Sequence, residues 1–290
     1  MPTTEIEHWI DHIPGQREFR RAVHTILYAI ASAHDLQSLL VLKGGILLSL
    51  AYASSRFTKD IDFSTSKTAQ ELDAEATIQK LEDALIVAVE TLGYGIDCRV
   101  HGWEQRPPGE YHTFPTLRIR IGYADQNDRR AHQKLVQLNA TQVVRVDLSL
   151  NEPLGDPTLL EVDGQKALRA YSFHDLVAEK YRALIQQEVR NRIRRQDTYD
   201  LYLLLKDNVE ADKIDVRRRV LSSLRLKSAA RNLPIDSSSL RREEVIRRSK
   251  AEYGHLAHEV EGVLPSFDEA YEAIALYYES LPWDESEVFN

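Results

Sequence analysis

The chain has 290 residues, 43% of them hydrophobic and 28% charged, with a formal net charge of −8. That balance is ordinary for a folded soluble protein, and the length allows a large core in two packed units. A single cysteine, Cys98, excludes a disulfide framework and points to a reducing cytoplasm. The first dozen residues are polar and acidic, so no signal peptide is expected, and no apolar run reaches membrane-spanning length.

A helical leader is expected over about Glu5–Ala33, with Phe19, Val23, Ile26, Leu27 and Ile30 at helical spacing. Leu39–Leu42 is a short apolar run of strand type. It enters Lys43-Gly44-Gly45, and Ile46–Tyr52 then reads as a short helix. Glycines at a strand-to-helix turn let the backbone approach a ligand closely and leave N–H groups free, which suits phosphate. Lys59–Ser64 alternates, so a strand here puts Asp60, Asp62 and Ser64 on one face and Ile61 and Phe63 on the other. Two carboxylates on one face repel, and a hard divalent cation such as Mg²⁺, shared with substrate phosphates, relieves them. Either half alone reads as a turn or a solvated strand face; the two together favour a phosphate-and-metal site.

A long amphipathic helix follows over Ala69–Leu92, stopped by Gly93. Strands are expected at Gly95–Val100, Thr116–Gly122 and Gln142–Leu150, with Cys98 a small buried hydrophobe. Arg106–Gly109 and Asp125–Asp128 have loop composition. In the third strand Arg145, Asp147 and Ser149 share one face, and an aspartate on such a face is ordinarily solvated. The loop Asn151–Asp163, with Pro153, Gly155 and Pro157, separates core from lobe, giving a leader (1–36), a core (37–165) and a helical lobe (166–290).

The lobe opens on Ser172-Phe173-His174-Asp175, a capping-box pattern. Leu176, Val177, Lys180 and Leu184 form its apolar stripe, so Lys180 either snorkels to water or meets an anion at a buried edge. Asp197 and Asp200 lie three apart, with Leu201 and Leu204 continuing their stripe. Carboxylates there are costly unless paired, and Lys180 is a natural partner for one of them. Lys180–Lys250 carries a surplus of Lys and Arg, whereas Ala251–Asn290 contains neither and is acidic. Such asymmetry suits a polyanion on the basic segment or two faces that neutralise each other. The pairs His8/His12 and His255/His258 lack a further ligand and read as surface histidines. Walker-type, GxSxG and GxGxxG motifs are absent from the sequence.

Lys43-Gly44-Gly45 followed by Ser55-Arg56-Phe57-Thr58-Lys59-Asp60-Ile61-Asp62-Phe63 resembles the first motif of the DNA polymerase β-type nucleotidyltransferase superfamily, and more narrowly of the AbiEii/AbiGii toxins, which include the MenT toxins. Val143–Leu150 is similar to that family's acidic strand, Ala178–Leu184 to its lysine motif and Asp197–Leu201 to its Asp-x-x-Asp-Leu motif. The resemblance implies an α/β fold, a nucleotidyltransferase core with a mixed sheet followed by a C-terminal helical lobe. It implies transfer of a nucleoside monophosphate from an NTP to an RNA acceptor such as a tRNA 3′ end, blocking translation, with a cognate antitoxin as a partner. Asp60, Asp62 and Asp147 would hold two Mg²⁺ ions; Lys43, Gly44, Gly45, Thr58, Lys180 and Asp197 would bind the nucleotide, Lys180 and Asp200 being catalytically important. The family's small residue after the glycines is here Ile46, so any hydroxyl contact falls to Thr58. A protein or small-molecule acceptor, or an inactive nucleotide-binding module, are the rival readings. Two consequences are expected: Asp60→Ala spares or slightly improves stability by removing repulsion, and Lys180→Met costs catalysis with little effect on melting. Arg190, Arg192, Arg194 and Arg195, beside Asp197, form a candidate phosphate track.

Overall fold

A computed structural model of the chain describes residues 6–109, 112–206 and 208–285. The described residues form two compact units, one of residues up to Ala53 with Thr58–Ala170, the other of Ser54–Phe57 with Tyr171 onward. The leader therefore belongs to the first unit, and the division after the strands falls at Ala170.

The first unit contains α1 (Ile6–Asp11), α2 (Arg17–Ser32), α3 (His34–Leu39), β1 (Val41–Lys43), α4 (Gly44–Ala51), β2 (Asp60–Ser64), α5 (Ala74–Leu92), β3 (Ile96–Arg106), β4 (Thr116–Asp125), α6 (Arg129–Val136), β5 (Val143–Ser149), β6 (Thr158–Asp163) and β7 (Lys166–Ala170). The expected leader is broken by a short 3₁₀ turn at Pro14–Gln16, since proline cannot continue a helix interior. In α2 the stripe Val23, Ile26, Leu27 and Ile30 is fully buried, and α2 packs on α5 and β7. Helix α5 starts later than its amphipathic pattern. Asp73 accepts from the Ala76 N–H at 2.9 Å as its cap, and Gly93 ends it in the left-handed region at φ 59°.

The seven strands form one mixed sheet in the order β3-β4-β5-β2-β1-β7-β6. The β2–β5 and β1–β7 pairs are parallel and the others antiparallel. Strand β2 sits mid-sheet, with Ile61 and Phe63 fully buried and Asp60 and Asp62 on the opposite, half-exposed face. Three elements were hidden in apparent loop sequence. Helix α6 follows the Asp125–Asp128 turn, capped by Asp128. Strand β6 occupies the end of the expected boundary loop and β7 follows it, the hairpin's signal being Asp163-Gly164 between two strand-length segments.

The second unit is helical: α7 (Phe173–Ile185), α8 (Gln187–Arg190), α9 (Arg195–Leu205), α10 (Ile214–Ala229), α11 (Glu243–Lys250) and α12 (Phe267–Glu279). The Ser172 hydroxyl caps α7 by accepting from the Asp175 N–H. Helix α7 packs on α9 and α10, around Leu176, Val177, Tyr181, Leu184 and Leu201, all buried. Among the described residues no helix is long and apolar enough to cross a membrane.

Candidate active site

In the first unit the turn from β1 into α4 brings backbone and carboxylate together. Gly44 has φ +75°, and a Cβ there would lie 2.2 Å from Asp62 Oδ2. A Cβ on Gly45 would lie 2.9 Å from the Thr58 Cβ. Both glycines are thus required by close approach, one to a candidate metal ligand and one to the threonine.

Register sets the neighbours of Asp62: Lys43 on β1 at one side and Asp147 on the parallel strand β5 at the other. Asp60 lies opposite Arg145 in the same ladder. The five residues share one face because side chains two apart in a strand, and partners in register, point the same way. Lys43 is buried, its Nζ donating to Ser149 Oγ at 3.1 Å with Glu152 Oε1 at 4.0 Å.

Two arginines that sequence periodicity did not single out as functional hold the carboxylates. Arg145 Nε donates to Asp60 Oδ1 at 2.9 Å. Arg118, directly across the antiparallel ladder from Asp147, donates through Nε and Nη2 to both its oxygens at 2.9 Å. The expected repulsion between Asp60 and Asp62 is therefore offset by a resident cation, and no stabilisation by Asp60→Ala follows. The alternation of Arg118 and Arg120 along β4 was the available signal. Among the described residues no group of three or more His, Cys, Asp and Glu is arranged to hold a metal ion. The donor chemistry nevertheless fits a hard cation. Asp60, Asp62 and Asp147 offer carboxylate oxygens only, and Gly44 leaves room beside one of them.

The second unit holds its own charged cluster. Lys180 Nζ donates to Asp200 Oδ2 at 2.6 Å and to Asp197 Oδ1 at 3.0 Å. Arg56, from the segment preceding β2, clasps Asp200 with two bonds at 2.8 and 2.9 Å. The Phe57 N–H donates to the Glu259 carbonyl at 2.7 Å, fixing this segment. Burial raises the Asp200 pKa, but Lys180 and Arg56 outweigh it and the net direction is down. Burial lowers Lys180, and Asp200 and Asp197 outweigh it, so its net direction is up. Lys180 therefore does not snorkel, and the expectation that Lys180→Met leaves melting unchanged fails, because two buried carboxylates would lose their shared cation. Asp197 Oδ2 and Thr198 Oγ1 are buried without a hydrogen-bond partner. Arg56 stands outside any helix or strand, so periodicity could not mark it; only the motif contained it.

The basic segment is less free than its composition implies. Arg195 pairs with Glu252 at 2.8 Å and Glu259 at 2.9 Å, so it leaves the candidate track. Arg218 pairs with Glu285, and Arg241 with Glu272 and Glu279. The acidic C-terminal region thus neutralises much of the surplus. Arg190 and Arg192 remain exposed. Burial lowers the Arg190 pKa, and the charges of Arg182, Arg231, Arg192 and Arg194 lower it further.

A family model described as the nucleotidyl transferase AbiEii toxin of type IV toxin–antitoxin systems matches residues 25–273. The chain belongs to the AbiEii family. It is thereby a nucleotidyltransferase toxin, with nucleoside triphosphate as substrate and an antitoxin as counterpart. Two crystal structures from Helicobacter pylori, a candidate nucleotidyltransferase and JHP933, resemble it with a TM-score of 0.52 and 14% identity over 93% of this chain. They are covered over 95% and 92% of their own lengths. At that identity the likeness establishes the fold, a nucleotidyltransferase core with mixed sheet and accompanying helices, and the function rests on the family. Comparison with curated proteins gives no match.

Proposed function

We propose that this AbiEii protein transfers a nucleoside monophosphate from an NTP to an RNA acceptor, a tRNA 3′ end, and so blocks translation. The observation that carries the reading is the pairing of Asp62 with Asp147 across two parallel strands, with Gly44 bare against Asp62. Mg²⁺, held by Asp60, Asp62 and Asp147, would supply charge neutralisation for the triphosphate and the leaving pyrophosphate. The chain's own residues then position. Gly44 and Gly45 offer backbone N–H groups at the start of α4 to phosphate oxygens, with Thr58 packed on Gly45 and Lys43 behind the turn. In the second unit Lys180 and Asp200 act as a fixed charge pair, as the lysine and Asp-x-x-Asp-Leu motifs imply. Asp197, whose Oδ2 lacks a hydrogen bond and lies 3.9 Å from Arg194 Nη1, is a proposed nucleotide contact as its motif implies. Arg190 and Arg192 are the proposed RNA phosphate contacts. Such chemistry needs few reactive side chains because positioning and electrostatics supply most of the rate.

The test is incubation of the purified full chain with total RNA, Mg²⁺ and each labelled nucleoside triphosphate in turn. Label moving to the tRNA fraction, with pyrophosphate released and EDTA abolishing both, is the expected result. Label in protein or small molecules, or turnover that survives EDTA, overturns the assignment of acceptor or metal respectively.

A further inference from the structure

Arg118 occupies the atoms that a cation at Asp147 would need. Its two parallel bonds to Oδ1 and Oδ2 at 2.9 Å use the carboxylate in full, whereas Arg145 holds Asp60 through a single oxygen. The clasp is not locked by burial. The Arg118 and Asp147 side chains retain 27% and 20% of their exposure, against 0% for Asp200. The bond to Asp147 raises the Arg118 pKa, and the charges of Asp60 and Glu104 add to that. Arg118 is therefore a permanent cation among carboxylates, on a face read here as binding metal and triphosphate. A guanidinium fork matches phosphate as well as carboxylate, so it has a second partner of equal geometry once a nucleotide arrives.

We infer that Arg118 is the resident counter-cation of Asp147, that a divalent ion must displace it to bind there, and that the nucleotide's polyphosphate takes the displaced guanidinium. The inference rests on the reading of Asp147 as a metal ligand and adds to it a regulation of loading. Without nucleotide the metal competes with an internal cation, and its apparent affinity falls by the fraction of Asp147 left open. With nucleotide present Arg118 has somewhere to go, so metal and nucleotide favour each other's binding reciprocally. Arg118 acts as a positioning residue, and one substitution should move two affinities in opposite directions.

The experiment measures binding to the full chain, without turnover. Free Mn²⁺ is followed by electron paramagnetic resonance, and a non-hydrolysable α,β-methylene triphosphate is titrated separately at saturating Mn²⁺. Arg118→Gln is expected to tighten Mn²⁺ alone about threefold to tenfold and to weaken the analogue about tenfold, the order of one charge-assisted bond. Arg118→Lys, which keeps charge without the fork, should fall between and covers a poorly folding Gln variant. Arg120→Gln removes a like charge from the same face of β4, opposite Arg145, and should leave both affinities within about twofold. Equal tightening by Arg120→Gln would show a general field effect and overturn the inference. So would Arg118→Gln with unchanged Mn²⁺ affinity, or with an unchanged analogue affinity. Asp147→Asn separates the two layers: if it weakens Mn²⁺ while Arg118→Gln does nothing, only the displacement fails. If Asp147→Asn binds Mn²⁺ like the wild type, the metal reading of Asp147 fails and takes the displacement with it.

Discussion

The strand face of the first unit and the charge cluster of the second both hold aspartates clasped by arginine, yet they differ in what can leave. Asp60 and Asp147 keep partial exposure, and their arginines are reachable by water. Asp200 has no exposed side chain and is held by two cations from separate chain segments. In water-accessible pairs, an ion or ligand can replace the partner at little cost, since such pairs contribute about 0–1 kcal/mol. In a buried pair, loss of one member strands a charge and costs roughly 3–5 kcal/mol. The same residue types therefore serve exchange in one place and fixed architecture in the other, and substitutions can test the distinction.

The largest effect is expected in the buried cluster. Asp200→Asn removes the carboxylate that Lys180 and Arg56 share, leaving them the weaker fields of Asp197 and Glu259, and should lower unfolding free energy by about 3–5 kcal/mol. Lys180→Met should also destabilise strongly, because Asp197 and Asp200 lose the bonds at 3.0 and 2.6 Å. Urea midpoints measure both, and wild-type midpoints would erase the contrast between the units.

On the strand face the expected loss is of activity. Asp62→Asn should reduce nucleotide transfer by roughly 10²–10³-fold, the scale for removing one electrostatic stabiliser, with a urea midpoint near wild type. Gly44→Ala attacks the same carboxylate from the backbone side, through a contact at 2.2 Å and a positive φ, and should lower activity and stability together. A fully active Asp62→Asn variant would place the chemistry elsewhere.

The difference also has a pH signature. Asp200 is lowered in the folded state, so its contribution is complete above the unfolded value of about 4 and is lost as pH falls through the folded value. Lys180 is raised, so its contribution is complete below about 10.4 and is lost as pH rises through its folded value. Stability measured against pH should fall on the acid side below about pH 4. Asp200→Asn should flatten that acid limb.

Legibility in the sequence followed periodicity. The alternation in Lys59–Ser64 put Asp60 and Asp62 on one strand face and that in Val143–Leu150 put Asp147 on the polar face of another; only the family resemblance joined them, and the structure pairs β2 with β5 in the register that makes Asp62 and Asp147 neighbours. The stripe on α7 left Lys180 either snorkelling or paired with one of the α9 aspartates, and the structure pairs it with both. What escaped were partners set by tertiary pairing. Arg118 meets Asp147 only because β4 lies beside β5, and Arg56 meets Asp200 from an irregular segment. Strand β6 was masked because Pro153, Gly155 and Pro157 coloured Asn151–Asp163 as loop, although Asp163-Gly164 marked the turn into β7.

The smallest expected effect concerns the basic segment, where the same test of replaceability applies to arginines. Arg195 is bound by Glu252 and Glu259, whereas Arg190 and Arg192 are exposed and Arg190 lies in the field of four other arginines. Clustered like charges favour a polyanion, which releases counterion at each neutralised phosphate and makes affinity fall steeply with salt. Replacing Arg190 and Arg192 by Gln should reduce the slope of log affinity for tRNA against log salt by roughly one to two units, with little change in melting. Arg195→Gln should do the reverse, costing stability while leaving the slope unchanged. Fluorescence titrations of labelled tRNA over a range of salt concentrations read the slope, and thermal melts read the cost. A slope unmoved by the double substitution would take the RNA contact away from this segment and leave its arginines as relief for the acidic C-terminal helices alone.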